Sequence, residues 1–143
     1  MILPDVNVLV YAHREDALDH RAYRDWLEAA VNSDAAFGMS DLVISGFVRV
    51  VTHPRIFVSP SSLAEAMQFA EELRERPNRV AVSPGSDHWR IFRRLCDAVG
   101  AKGNLVPDAW LAAMAIEHGC EWITTDGDYA RFPGLKWRHP LKS

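Results

Sequence analysis

The chain opens on an apolar run, Ile2-Leu3-Pro4-Asp5-Val6-Asn7-Val8-Leu9-Val10-Tyr11, interrupted only by Asp5 and Asn7. With hydrophobic residues all round, such a stretch fits a strand in the interior of a sheet. It therefore requires a buried strand from the first residues, with a carboxylate inside it or at its end. A carboxylate there costs free energy unless something compensates its charge. Two readings follow. Asp and Asn both favour helix starts and tight turns, so the pair can serve as a cap. Alternatively, Asp5 is a metal ligand at the end of a buried strand. This stretch alone does not choose between them. The choice depends on whether acids recur in matching settings.

Along the chain, short strand patterns alternate with helical ones. Residues 2–5 predict a strand, followed by a short helical turn over 8–11. Tyr23, Trp26, Leu27, Ala30 and Val31 recur at helical spacing over 20–31, and 35–39 predict a second strand. Ser40-Asp41 can cap a helix running to Val51, which His53-Pro54 ends. Ser62 and Glu65 form a capping-box pattern before a helix that Pro77-Asn78 stops. A third strand is predicted over 79–82. The next helix carries Trp89, Phe92, Leu95, Cys96 and Val99 on one side. Pro107 suits the first turn of a helix reaching about His118, and Ala109 to Ile116 is apolar nearly all round, which makes this helix central. Residues 121–125 predict a strand, Asp126-Gly127-Asp128 a turn and 135–137 a short last strand. This order implies a single α/β domain over residues 1–143, with a mostly parallel central sheet flanked by helices.

The remaining bulk properties narrow the class. The 143 residues suffice for one core, and 48% hydrophobic with 24% charged residues fit a globular protein. A net charge of −3 gives no global basic field of the kind a nucleic-acid coat carries, although a basic rim around an acidic centre remains compatible. Cys96 and Cys120 lack metal-ligand spacing and sit in apolar patterns, so buried free thiols and a reducing, cytoplasmic setting are expected. The N-terminus does not have the basic start of a secretory signal, and no apolar run approaches the ~20 residues that span a bilayer.

The acids do recur. Asp5 and Asp126 fall at predicted carboxyl ends of strands, where ligands of parallel sheets bind. Asp41 and Asp108 fall at helix starts, and Asp128 lies just beyond Asp126. Each has an ordinary explanation alone: helix-dipole interaction for Asp108, turn chemistry for Asp126 and Asp128, capping for Asp41. Converging carboxylates would repel one another unless protons or a cation intervened. An all-oxygen site selects a hard cation, chiefly Mg²⁺ or Mn²⁺, and so points to phosphoryl-transfer or phosphodiester chemistry.

Four segments carry a family likeness: Asp5 to Ala12, Gly46 to Thr52, Pro107 to Ala113 and Thr124 to Phe132. In this order and spacing the chain resembles PIN-domain ribonucleases, specifically VapC-type toxins of toxin–antitoxin systems. The resemblance implies that Asp5 and Asp108 are the principal metal ligands, Asp126 the third acid and Asp128 a weaker fourth. It implies that Asn7 and Thr124 orient the carboxylates. Many PIN domains carry a glutamate where this chain has Gly46, and Asp41 is the expected substitute. The implied reaction is Mg²⁺-dependent hydrolysis of RNA phosphodiester bonds, with Mn²⁺ as the other candidate ion. Water rather than the ribose 2′-hydroxyl would attack, leaving 5′-phosphate and 3′-hydroxyl ends. A homodimer and a cognate VapB-type antitoxin are implied as well.

An acidic pocket does not itself attract RNA, so basic residues must hold the backbone at its margin. Arg49 and Arg131 follow the second and last motifs and are the expected RNA contacts. Arg55, Arg90, Arg93, Arg94 and the tail Lys136, Arg138, His139 and Lys142 are further candidates, each of which also fits an ordinary solvated surface. Trp89, Trp110 and Trp122 are expected in the core, leaving Trp137 as the remaining candidate for base stacking. The rivals are a histidine-based ribonuclease, a phosphatase with an aspartyl nucleophile, and a catalytically weak PIN-like RNA- or protein-binding module. Gly46 favours the last, and Asp5, Asp108 and Asp126 argue against it.

Overall fold

The structure, a computed structural model, describes residues 1–142. Five short strands, β1 (Ile2–Pro4), β2 (Phe37–Met39), β3 (Arg79–Ala81), β4 (Glu121–Ile123) and β5 (Trp137–Arg138), all pair in parallel. They form two ladders, β1-β4-β5 and β2-β3. β2 lies against β1 at Gly38, where a β-carbon would come within 3.2 Å of the Ile2 carbonyl and 3.1 Å of Val82 Cγ2. A larger residue would make that approach tight and force its neighbours to give by a few tenths of an ångström. The chain thus builds outward from β1 through β2 to β3, then returns to add β4 and β5 on the other side. That reversal beside β1 is the switch point at which parallel sheets open a crevice at their carboxyl ends.

Six helices cover the sheet: α1 (Val6–His13), α2 (His20–Asn32), α3 (Asp41–Val51), α4 (Leu63–Arg74), α5 (His88–Val99) and α6 (Leu105–Glu117). α1 is longer than the single turn expected over 8–11. Asp5 starts it by accepting from Val6 N over 2.7 Å, and Val8, Leu9, Val10 and Ala12 are buried along it. β-branched valines lower helix propensity, and tertiary burial overrides that preference here. α6 is central as expected, with Ala109 and Ala112 through Ala115 fully buried. Its small residues let the neighbouring elements approach closely.

One helix departs from expectation at its first turn: in α5, Leu95, Phe92, Cys96 and Val99 pack on the core as expected, but Trp89 does not. The buried stripe of α5 is His88, Ile91 and Leu95, so Trp89 is 63% exposed while His88 is 2% exposed. The helix begins at His88, and the His88 Nε2 sits 2.8 Å from the Trp110 carbonyl, which gives the imidazole a partner in the interior. The expected turn at 126–128 is the start of a 3-10 helix, Gly127–Arg131. Cys96 and Cys120 are both free thiols. Among the described residues, no helix is long and apolar enough to cross a membrane.

Candidate functional site

β1 and β4 are hydrogen-bonded neighbours, so the residues leaving their carboxyl ends emerge together. Asp5 follows β1, and its backbone N–H donates to the Ile123 carbonyl over 2.8 Å. Thr124 follows β4 and is fully buried. Its Oγ1 donates to Asp5 Oδ2 over 2.7 Å and accepts from Asp126 N over 3.1 Å. One hydroxyl therefore fixes the orientation of Asp5 and the path of the chain into Asp126. Asp126 Oδ1 in turn accepts from Asp128 N over 2.9 Å, which starts the 3-10 helix. That helix delivers Tyr129, whose hydroxyl donates to Asp108 Oδ1 over 3.2 Å from the first turn of α6.

These acids lie near enough for their charges to act on one another. Asp5 is 5% exposed and its carboxyl is pushed up to about 6. Burial is the main cause, the bonds from Thr124 and Val6 oppose it, and the charges of Asp108 and Asp126 raise it further. Asp108 is half-buried and also raised, first by burial and then by Asp126 and Asp128, against the lowering effect of Tyr129. Tyr129 is buried among Asp5, Asp108 and Asp126, and burial followed by those charges drives its hydroxyl well above the usual range. It therefore remains a neutral donor at every ordinary pH. Among the described residues, Asn7 Oδ1, in the first turn of α1, is buried without a hydrogen-bond partner.

This donor set is oxygen only, mutually repelling and partly unsatisfied, which fits a hard divalent cation. Among the described residues no three His, Cys, Asp or Glu side chains are grouped so as to hold a metal ion by themselves.

The family model for the PIN domain matches residues 2–135. A VapC ribonuclease of Mycobacterium bovis is 46% identical over 141 residues, covering 99% of this chain and 96% of the relative. The chain belongs to the PIN-domain family, among the VapC ribonucleases. Ribonuclease VapC25 of Mycobacterium tuberculosis is 41% identical over 140 residues, covering 98% of this chain and 99% of the relative. The fold of this PIN domain is similar to that in the structure of VapBC2 from Rickettsia felis bound to a promoter DNA fragment, with a TM-score of 0.70 at 17% identity, over 97% of this chain and 98% of that one. VapBC-1 of Haemophilus influenzae gives the same TM-score at 19% identity, over 99% and 100%.

Not every expected residue of the PIN domain joins the cluster. Asp41 is corrected: its carboxylate is 63% exposed and bound by Arg74 Nε at 2.8 Å and Arg79 at 3.1 Å. The hydrogen bonds and charges of these arginines hold it below the usual carboxylate range. In this arrangement its carboxylate is committed to the two arginines rather than to the other acids. Gly46 has a packing role instead: a β-carbon there would lie 2.9 Å from Val6 Cγ2, so α3 abuts α1 at the residue after Asp5. Asp128 is exposed and contributes its backbone N–H to the cap and its charge to Asp108. Arg131, at the end of the same 3-10 helix, is exposed beside the site, and Arg49 is exposed in the last turn of α3.

The histidines have structural partners. His13 bonds to Ser61 between the Phe47 and Phe69 rings, His20 to the Tyr11 carbonyl and His118 to the Ser83 carbonyl. Tyr129 is the site residue that sequence reasoning missed. Its only signal was a hydroxyl-bearing aromatic directly after Asp128.

Proposed function

We propose that this chain is a divalent-metal-dependent endoribonuclease, the toxin of a toxin–antitoxin pair, acting through Asp5, Asp108 and Asp126. The observation that carries this reading is Asp5: a buried carboxylate braced by Thr124, raised to about 6 and facing two further acids. Such an arrangement is costly in the apo protein and becomes favourable when a cation binds. Asp5 and Asp108 would hold Mg²⁺ or Mn²⁺, with Asp126 and then Asp128 acting directly or through water. When bound, the ion supplies a lowered pKa for the attacking water and positive charge to offset that of the phosphate.

The protein's own groups do the rest. Thr124 and Tyr129 keep the carboxylates oriented so that little reorganisation is needed on binding. Arg131 and Arg49 offer charge-assisted bonds to the RNA backbone at the margin of an otherwise acidic site. The 46% and 41% identical relatives named as VapC ribonucleases support RNA as the substrate. The VapBC neighbours support a VapB-type antitoxin as the partner. A homodimer and a cytoplasmic location are the corresponding proposals for assembly and compartment. The expected products are 5′-phosphate and 3′-hydroxyl ends.

A catalytically weak RNA- or protein-binding PIN module is favoured by one observation: α3 contributes no carboxylate, because Gly46 is packed against Val6 and Asp41 is paired with arginines. One experiment separates the readings. The purified protein is incubated with total RNA in Mg²⁺ or Mn²⁺, then with EDTA, and the new ends are mapped. Cleavage that stops with EDTA and leaves 5′-phosphates supports the enzyme. RNA binding without cleavage in either ion supports the module, and cyclic phosphate ends that persist in EDTA would falsify the metal-dependent mechanism.

A further inference from the structure

A groove of about 360 Å³ lies between the end of α1, the turn into α2, Phe57 and Thr125. Thr125 sits between Thr124, which braces Asp5, and Asp126, so the segment that carries these braces also forms one wall of the groove. A ligand lying along that segment would meet both the carboxylates and the groove.

The lining indicates which part of such a ligand the groove takes. Among the described residues Arg14 is the only cation lining it, and its charge is already committed: it binds both oxygens of Asp16 at 2.9 and 2.6 Å, donates to the Ser59 carbonyl over 2.8 Å and lies 4.0 Å over the Phe57 ring. The groove thus offers no free cation to a phosphate, while Asp19 adds a negative charge that disfavours anions. Tyr11 and Phe57 give it aromatic walls, and Leu18 stands at its rim 87% exposed. Asp19 adds a second, independent observation. It is the only non-glycine residue among those described with a left-handed backbone, at φ 58°, and although it precedes α2 its side chain makes no capping hydrogen bond. Aspartate at a helix start ordinarily caps, and strained backbone is concentrated at ligand clamps.

We propose that this groove is a nucleobase subsite, resting on the ribonuclease reading, which receives the base adjoining the cut phosphate and prefers guanine. Single-stranded RNA is read by splaying bases onto aromatic side chains and bonding their edges. A flat, uncharged base suits a groove with aromatic walls and no free cation. The Asp19 carboxylate accepts and does not donate. Guanine presents N1–H and N2–H side by side for its two oxygens. Adenine and cytosine place an acceptor next to their amino group, and uracil flanks its single donor with two carbonyls.

The test uses RNA hairpins with a randomised loop, cut in Mg²⁺ by the full-length protein, with the ends sequenced. Wild type is expected to enrich guanine at one position beside the cut. Asp19→Asn should relax that enrichment at least fivefold with Mn²⁺ affinity unchanged. Tyr11→Leu should lower kcat/KM about tenfold, the scale of losing one stacked base. Because Tyr11 supports α1, the exposed Leu18→Ala variant gives a second reading in the same direction. Wild-type cleavage without base preference, or preference intact in Asp19→Asn, overturns the subsite and leaves the ribonuclease reading standing. Variants that keep the cleavage pattern but escape inhibition by the antitoxin assign the groove to that protein and overturn the proposal. Absence of cleavage in any divalent ion overturns both readings.

Discussion

At the scale of single residues, Asp5 sets the pH behaviour. Its folded value of about 6 lies above the ordinary 3.8. Between those values the folded protein keeps a proton that the unfolded chain releases. Its contribution to stability is therefore full at low pH and is lost as pH rises through 6. The cost at neutral pH is on the order of 3 kcal/mol. Metal-free Asp5→Asn is expected to melt above wild type at pH 8 and level with it near pH 4, read by thermal unfolding across pH. A pH-independent difference would mean that burial of the charge is not the cause. Tyr129→Phe keeps the ring against Trp122 and Phe132 but removes the bond to Asp108. It should weaken Mn²⁺ binding about tenfold with little change in melting temperature, the scale found when an orienting partner is lost. That Asp5, Asp108 and Asp126 come together was legible in the sequence because each adjoins a buried run or a strand end. Asp41 was misread because a Ser-Asp pair at a helix start looks the same whether it faces a metal or arginines such as Arg74 and Arg79, far along the chain. Tyr129 was hidden because an aromatic in that segment reads as core.

At the scale of elements, the close approach of α3 and α1 decides the fourth corner of the site. Restoring the family's acid as Gly46→Glu forces a β-carbon to 2.9 Å from the stiff Val6 side chain. The expected result is a loss of about 1–3 kcal/mol of stability, typical of overpacking, without tighter metal binding. Pairing it with Val6→Ala should recover part of that stability. Denaturant unfolding with Mn²⁺ titration checks both, and a stable single variant with stronger binding would show that α1 and α3 yield easily. The helix patterns of α3, α4 and α6 were readable from caps and apolar spacing. In α5 the expected face holds at Leu95, Phe92, Cys96 and Val99 and fails at Trp89, because hydrophobicity alone puts the tryptophan rather than the adjacent His88 inside. What puts His88 there is its bond to the Trp110 carbonyl, a tertiary fact.

At the scale of the whole molecule, the order of strands explains why acids far apart in sequence meet. The chain reverses direction beside β1, and β1 and β4 then deliver Asp5 and Thr124 side by side. The alternation of strands and helices predicted a parallel sheet, but its strand order depends on which edges pair, and that leaves little trace in local pattern. With a net charge of −3, attraction to RNA must be local rather than global. Arg131→Ala should weaken RNA binding by a cleavage-inactive variant and lower the dependence of log affinity on log salt by about one, as for one lost phosphate contact. An unchanged slope would remove Arg131 from the interface.

The central claim is that Asp5 and Asp108 form one metal site, and Mn²⁺ binding followed by electron paramagnetic resonance at pH 7.5 tests it without relying on activity. Wild type should bind, and Asp5→Asn and Asp108→Asn should each weaken binding at least tenfold while remaining folded. Equal binding by wild type and both variants would contradict the account.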